Sequence, residues 1–309
     1  GHERQLAFLF GDNSVESIVA YLAGLASGTV VAMINPALHL SLAEALIARY
    51  EPDLLIFSRS SARGAGTFAA YQPCECKRGL TIFRRQTPCP SEMYPELALL
   101  LTTSGSTGSP KFARLSYGNL QANAQSIGDY LGLGEDDRPL TSLPLYYSYG
   151  LSVVNSHFLA RGCIVCTNAG VVERGFWNAA VSGACTSLAG VPYMYEVLRR
   201  LRFERMRLPN LRTLTQAGGA LSVETKRYVL DACQQSGRQF CVMYGQTEAT
   251  ARIAYVPPER LGDKLTSIGV AIPGGRMWLE DKSGVVDQPE VEGEIVYRGP
   301  NVMLGYATT

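Results

Sequence analysis

The first 57 residues alternate short apolar runs with helical periods, and that alternation limits the possible fold more than any other feature. Residues 6–10 (Leu-Ala-Phe-Leu-Phe) and 29–34 (Thr-Val-Val-Ala-Met-Ile) are apolar without polar alternation, as expected of strands buried on both faces. Between them, residues 15–26 carry an apolar helical period ending at Gly28, and Asn13 with Glu16 three residues on reads as a capping box. Ser41 with Glu44 reads as a second capping box, for a helix that stops at Glu51-Pro52, and 53–57 is a third apolar run. A β-α-β-α-β series of this kind predicts a largely parallel sheet with helices on its faces.

Residues 58–95 have a weaker pattern and hold four of the sixteen prolines, which predicts a loop-rich connection. Strands are then expected at 97–102, 140–143, 163–167, 187–189, 211–215 and 239–243. Helices are expected at 119–131, 151–160, 192–202 and 222–235. After Thr266 the pattern becomes short strands (276–280, 293–298) separated by Gly and Pro turns. The reading is therefore an α/β fold of mainly parallel sheets flanked by helices, with a β-rich subdomain near the C-terminal end. Its divisions fall at 1–95, 96–265 and 266–309.

Composition narrows the function classes. Lys and Arg number 28 against 27 Asp and Glu, so the net charge of +1 supplies neither a nucleic-acid footprint nor a polybasic lipid face. There is no run of about 18 apolar residues that would span a bilayer. The eight cysteines are placed for neither disulfides nor metal. Cys163 and Cys166 sit three apart on an expected strand and so face opposite sides, while Cys74, Cys76 and Cys89 have no histidine nearby. Free thiols point to a reducing, cytoplasmic setting.

Chemistry-bearing residues gather where apolar strands end. Leu101-Thr-Thr-Ser-Gly-Ser-Thr-Gly-Ser-Pro-Lys111 leaves a strand as a run of hydroxyl and glycine residues. Its glycines let successive N–H groups turn toward one point, which makes a nest for phosphate oxygens. It is not a Walker A loop, because Pro110 precedes the lysine and Phe112 follows it. Val242-Met-Tyr-Gly-Gln-Thr-Glu248 follows another strand: Tyr244 offers a stacking face, Thr247 a hydroxyl and Glu248 a hard oxygen ligand. Thr215-Gln-Ala-Gly-Gly-Ala-Leu221 ends a third, with two glycines that permit close approach to a flat ring.

These three segments, in this order and spacing, resemble the adenylate-forming ligase superfamily of acyl- and aryl-CoA synthetases, peptide-synthetase adenylation domains and firefly luciferase. Leu143-Pro-Leu-Tyr-Tyr-Ser-Tyr-Gly150 and Ser267-Ile-Gly-Val-Ala-Ile-Pro-Gly274 are similar to further segments of that family. The likeness implies that a carboxylic acid and ATP, with Mg2+, give an acyl-adenylate and pyrophosphate, after which CoA or a phosphopantetheinyl carrier protein takes the acyl group. It implies that Thr103, Ser104, Gly105, Ser106, Thr107, Gly108 and Lys111 hold the β- and γ-phosphates. Gly218, Gly219, Ala220 and Tyr244 would enclose the adenine, with Gly245 and Gln246 beside them. Thr247 would touch the α-phosphate and Glu248 would bind Mg2+. Tyr147, Tyr149, Val191 and Ala217 would line the acyl pocket. Where amino-acid-activating relatives carry Phe-Asp-x-Ser, this chain has Tyr146-Tyr-Ser-Tyr149, and an acyl or aryl acid is favoured.

Other readings of the same residues are a binding module that keeps the fold without catalysis, an amino-acid-activating domain, and a dinucleotide-dependent oxidoreductase. The last rests on Gly64-Ala-Gly66-Thr-Phe-Ala69, but Pro73 interrupts the helix that must follow. In the family, a ribose-binding Asp, a hinge and a small C-terminal domain with a catalytic lysine come after the segment that ends here. The chain is therefore expected to be the large N-terminal domain of a longer ligase or a naturally short relative, binding its ligands but turning over poorly.

Overall fold

The computed structural model describes residues 4–59, 68–77, 79–87, 92–103 and 111–307. In chain order the first elements are β1 (Leu6–Phe10), α1 (Val15–Ala26), β2 (Val30–Ile34), α2 (Leu40–Tyr50), β3 (Leu54–Ser58), β4 (Tyr71–Lys77), β5 (Leu80–Arg85), β6 (Leu97–Thr102), β7 (Phe112–Ser116) and α3 (Tyr117–Leu131). Next are β8 (Pro139–Leu140), α4 (Ser148–Leu159), α5 (Arg174–Ser182), β9 (Ser187–Gly190), α6 (Pro192–Arg200), β10 (Thr213–Gln216), α7 (Val223–Gln235) and β11 (Gln239–Tyr244). The chain closes with β12 (Ala254–Tyr255), β13 (Val270–Ala271), β14 (Arg276–Asp281), β15 (Gly284–Val286), β16 (Glu294–Arg298) and β17 (Tyr306–Ala307).

These strands form three sheets. The first has eight strands in the order β17-β7-β6-β2-β1-β3-β5-β4, and its centre, β6-β2-β1-β3, is parallel. The central strands β1 and β2 are buried along their whole length, so neither face can carry polar residues and the sequence reads as a continuous apolar run. The second sheet, β13-β12-β11-β10-β9-β8, is parallel from β8 to β11. The third is a small antiparallel sheet, β15-β14-β16, after the change in pattern near Thr266. Neither large sheet is parallel throughout: β4, β5, β7 and β17 join the first antiparallel, as β12 and β13 join the second at one edge.

Several local expectations need correction. The stretch at 58–95 is not only loop, because β4 and β5 pair with each other and β5 pairs with β3. The helix α1 is capped by Ser14, whose hydroxyl accepts from the Ser17 N–H. Asn13 serves another purpose: its Nδ2 donates to the carbonyls of Thr141 (2.8 Å) and Leu143 (3.1 Å), which ties the first sheet to the second. The Ser41 box does not form either, since helix α2 begins at Leu40 and Ser41 Oγ pairs with His39 Nδ1 at 2.8 Å. The expected strand at 163–167 reduces to one bridge, Val165 beside Leu140, at the open edge of the second sheet. Cys163 is exposed there and Cys166 half-buried. Strand β7 and helix α5 were not legible at all.

Candidate active site

In a parallel sheet the carboxyl ends of all strands open on one side, and there the backbone turns away with unpaired N–H groups. Strand β6 ends at Thr102 and antiparallel β7 begins at Phe112, directly opposite it. The Thr103 N–H donates to the Lys111 carbonyl at 2.9 Å and its hydroxyl to the same oxygen at 3.3 Å, which closes the base of this loop. Ser104, Gly105, Ser106, Thr107 and Gly108 lie outside the described residues.

Strand β10 ends in Ala217-Gly218, where Gly218 has φ +78°. A Cβ at Gly218 would collide with the Tyr147 hydroxyl, so only glycine lets that ring lie against the chain. Strand β11 ends at Tyr244, and a Cβ at Gly245 would run into the Ala251 carbonyl. Between them is a short 3-10 turn, Thr247–Ala249, followed by two residues with positive φ, Thr250 (+61°) and Ala251 (+145°). Such a backbone persists only when its surroundings over-determine it. Asn301, buried, does so: Nδ2 donates to the carbonyls of Ala249 and Arg252, both at 2.8 Å, and the Asn301 carbonyl accepts from the Thr250 hydroxyl at 2.6 Å.

The result is one cleft of about 460 Å³. Of the residues singled out from the sequence, Thr103, Lys111, Tyr147, Tyr149, Ala217, Gly218, Gly245, Gln246, Thr247 and Glu248 stand on its wall. Four others do not. The Gly219 carbonyl accepts from Gln216 Nε2 (2.9 Å), Ala220 is exposed, Tyr244 packs with Ile253 and Ala249, and Val191 packs behind the wall with Tyr147 and Ala217. Ser148, Ala251, Arg252 and Tyr306 also stand on the wall and were missed. Arg252 was visible as a lone charge in an otherwise uncharged run, Ala249-Thr-Ala-Arg-Ile-Ala-Tyr-Val256, but Tyr306 has no local signal.

The polar groups are ordered in two zones. Toward the closed loop, Ser148 Oγ and Thr247 Oγ1 are 3.1 Å apart. Tyr306 donates to Glu248 Oε1 at 2.6 Å, and Lys111 Nζ lies 5.6 Å from the Tyr306 ring centroid. That hydrogen bond pushes the Tyr306 hydroxyl above its ordinary pKa. Toward the second sheet, the buried Tyr149 hydroxyl is 2.8 Å from both the carbonyl and the hydroxyl of Thr215, and burial raises it to about 12. Burial also raises Tyr147.

A single carboxylate, Glu248, suits Mg2+, which keeps water and phosphate oxygens among its ligands and does not need an all-protein cage. The wall brings the Lys111 ammonium, the Ser148 and Thr247 hydroxyls and this carboxylate together without a histidine base. That donor set fits phosphate chemistry in which the nucleophile needs no deprotonation.

Comparison with known proteins agrees in kind. The model of the family described as AMP-binding enzyme matches residues 3–307. A feruloyl-CoA synthase from Amycolatopsis sp is 32% identical over 212 residues, which is 68% of this chain and 42% of that protein. An indoleacetate–CoA ligase from Aromatoleum aromaticum is 32% identical over 221 residues, 71% of this chain and 42% of that protein. Among solved structures, a double mutant of o-succinylbenzoate CoA synthetase from Bacillus subtilis, bound with its product analogue, superimposes with a TM-score of 0.80 at 23% identity. That superposition covers 99% of this chain and 61% of the other, and it shows the shared fold. The matched part thus spans about two fifths of the length of the first two relatives.

Proposed function

The chain belongs to the AMP-binding enzyme family, and on that premise we propose that the protein activates a carboxylic acid with ATP as an acyl-adenylate and hands the acyl group to the thiol of CoA. The observation that carries this reading is the single cleft onto which Thr103, Lys111, Gly218, Thr247 and Glu248 converge from three separate segments. An aryl acid is the favoured substrate, because Tyr147, Tyr149 and Ala217 stand on the cleft wall and pack in one cluster with Tyr130, Tyr255 and Leu143. The names of the relatives, feruloyl and indoleacetate, point the same way.

A carboxylate with a pKa of about 4 is ionised at neutral pH and can attack the α-phosphorus directly while pyrophosphate leaves. Catalysis then consists of positioning and charge neutralisation. In this reading Lys111 and the loop it closes neutralise the outer phosphates. Thr247, held by Ser148, donates to an α-phosphate oxygen. Bound Mg2+, with Glu248 as its protein ligand, would neutralise phosphate charge further, and Glu248 would then exchange its Tyr306 hydrogen bond for the metal. A cytoplasmic setting, where ATP and CoA are available, goes with this activity. Among the described residues no helix is long and apolar enough to cross a membrane.

The test is isotope exchange between pyrophosphate and ATP in the presence of a panel of aryl and fatty acids. Acid-dependent exchange that falls by about a hundredfold in Lys111→Ala or Thr247→Val supports the assignment, as expected for lost donors at a developing anion. A folded chain that neither exchanges nor binds AMP contradicts it.

A further inference from the structure

Arg252 lies 1% exposed, the largest of the fully buried side chains. Its guanidinium carbon is 3.9 Å from the centroid of the Tyr149 ring, while Nε and Nη1 are buried with no hydrogen-bond partner. The Tyr130 hydroxyl adjoins it and donates to the Met243 sulfur at 3.0 Å. Among the described residues, none of the ion pairs includes Arg252. An always-charged guanidinium in this position is expensive: a buried ion needs a partner of opposite charge and hydrogen bonds for its remaining protons. Stacking on tyrosine offsets only part of that cost. A well-packed apolar side chain would serve stability at least as well, so the charge has a purpose outside the folded core.

Its place in the molecule suggests which. Arg252 borders the nucleotide cleft on one side and, on the other, a second cavity of about 410 Å³ lined by Val153, His157, Ala189 and Thr215. Of the charged groups at the rim of that cavity, Asp137 binds Arg212 at 2.8 Å and Glu135 binds Arg161 at 2.6 Å, while Asp136, exposed, is in none of the ion pairs among the described residues. Arg252 thus stands between the cleft, whose wall it shares with Tyr147 and Tyr149, and a cavity large enough for the tail of an acid.

We propose that the acid carries a second anionic group, a carboxylate or its equivalent, which pairs with Arg252 while the first carboxylate reacts beside Lys111 and Thr247. The inference rests on the adenylation reading and deepens it by naming the substrate class as dianionic acids. A guanidinium without a carboxylate partner can take one through charge-assisted hydrogen bonds, which selects it over a neutral group of the same shape.

The experiment is calorimetric titration of the full chain with acyl-sulfamoyl-adenosine analogues in matched pairs. One member of each pair ends in a carboxylate and the other in the primary amide, over succinyl, adipoyl and carboxyaryl tails. At least one pair is expected to show the carboxylate bound tenfold or more tighter, about 1.4 kcal/mol. Arg252→Met should reduce that preference to within about twofold. Equal affinity within every pair overturns the inference while leaving adenylation intact. A loss of AMP affinity in Arg252→Met with no preference in any pair also overturns it, because the guanidinium then belongs to the nucleotide phosphate. If no analogue binds, the adenylation reading fails and the inference fails with it. The paired comparison on the unsubstituted chain decides even where Arg252→Met does not fold.

Discussion

Replacing Asn301 by alanine removes one buried amide that three partners use. Its Nδ2 donates to the carbonyls of Ala249 and Arg252, and its Oδ1 accepts from the Tyr297 hydroxyl at 2.9 Å. The two carbonyls lie in the turn whose residues Thr250 and Ala251 have positive φ, a geometry that costs about 1–3 kcal/mol for each non-glycine residue. An unsatisfied buried carbonyl costs about 1–3 kcal/mol, so two of them, partly relieved by water entering the space left by the side chain, predict a loss near 3 kcal/mol. At about 2 °C per kcal/mol for a chain of this size, the unfolding midpoint falls by about 6 °C. Asn210, exposed on a loop, is the control, and Asn210→Ala should shift the midpoint by less than about 1 °C. Differential scanning calorimetry measures both. Because the freed turn carries Thr247 and Arg252, affinity for an acyl-adenylate analogue should fall along with stability. An Asn301→Ala protein that melts within a degree of the parent would show that the turn holds itself, and would refute this account of how the site is positioned.

Gly218→Val places a side chain where φ is +78° and the Tyr147 hydroxyl stands, so AMP affinity should drop more than about tenfold while the protein remains folded with a penalty of about 1–3 kcal/mol; equilibrium dialysis and urea unfolding read the two effects separately. Burial holds His157 below its ordinary pKa of 6.5, so the unfolded chain takes up the proton first. Stability is therefore complete above pH 6.5 and declines as pH falls from there to the lower native pKa, with a slope of at most about 1.4 kcal/mol per unit; in urea titrations His157→Gln should flatten that slope. Burial pushes the Cys233 and Cys241 thiols up to about 12, and brief alkylation at pH 8 followed by peptide mass mapping should label the exposed Cys74 and Cys163 and spare both.

The parallel centre of the first sheet was legible because a strand buried on both faces must be apolar throughout, as β1 and β2 are. The edges were not. Strand β4 carries Pro73 and Cys74, and it takes its shape from pairing with β5, not from any pattern of its own. Helix α5 buries only Phe176 and Ala180, too few to leave a period. At the site the same division holds. Segments that end apolar strands announce themselves by glycine and hydroxyl residues, so Thr103, Gly218, Thr247 and Glu248 could be named from sequence. Asn301 and Tyr306 could not, because their partners lie 49 and 58 residues away, in Arg252 and Glu248. Asn13 shows the reverse error: a local capping pattern was present, and contacts more than a hundred residues distant claimed the side chain.

The most direct test of the central claim is calorimetric titration of the chain with an aroyl-sulfamoyl-adenosine, repeated on Thr247→Val. The cleft predicts saturable binding of one ligand per chain, weakened by about tenfold or more when the Thr247 hydroxyl is removed. A folded chain that gives no saturable heat at millimolar ligand, or binding that Thr247→Val leaves untouched, would contradict the assignment of this cleft to adenylate chemistry.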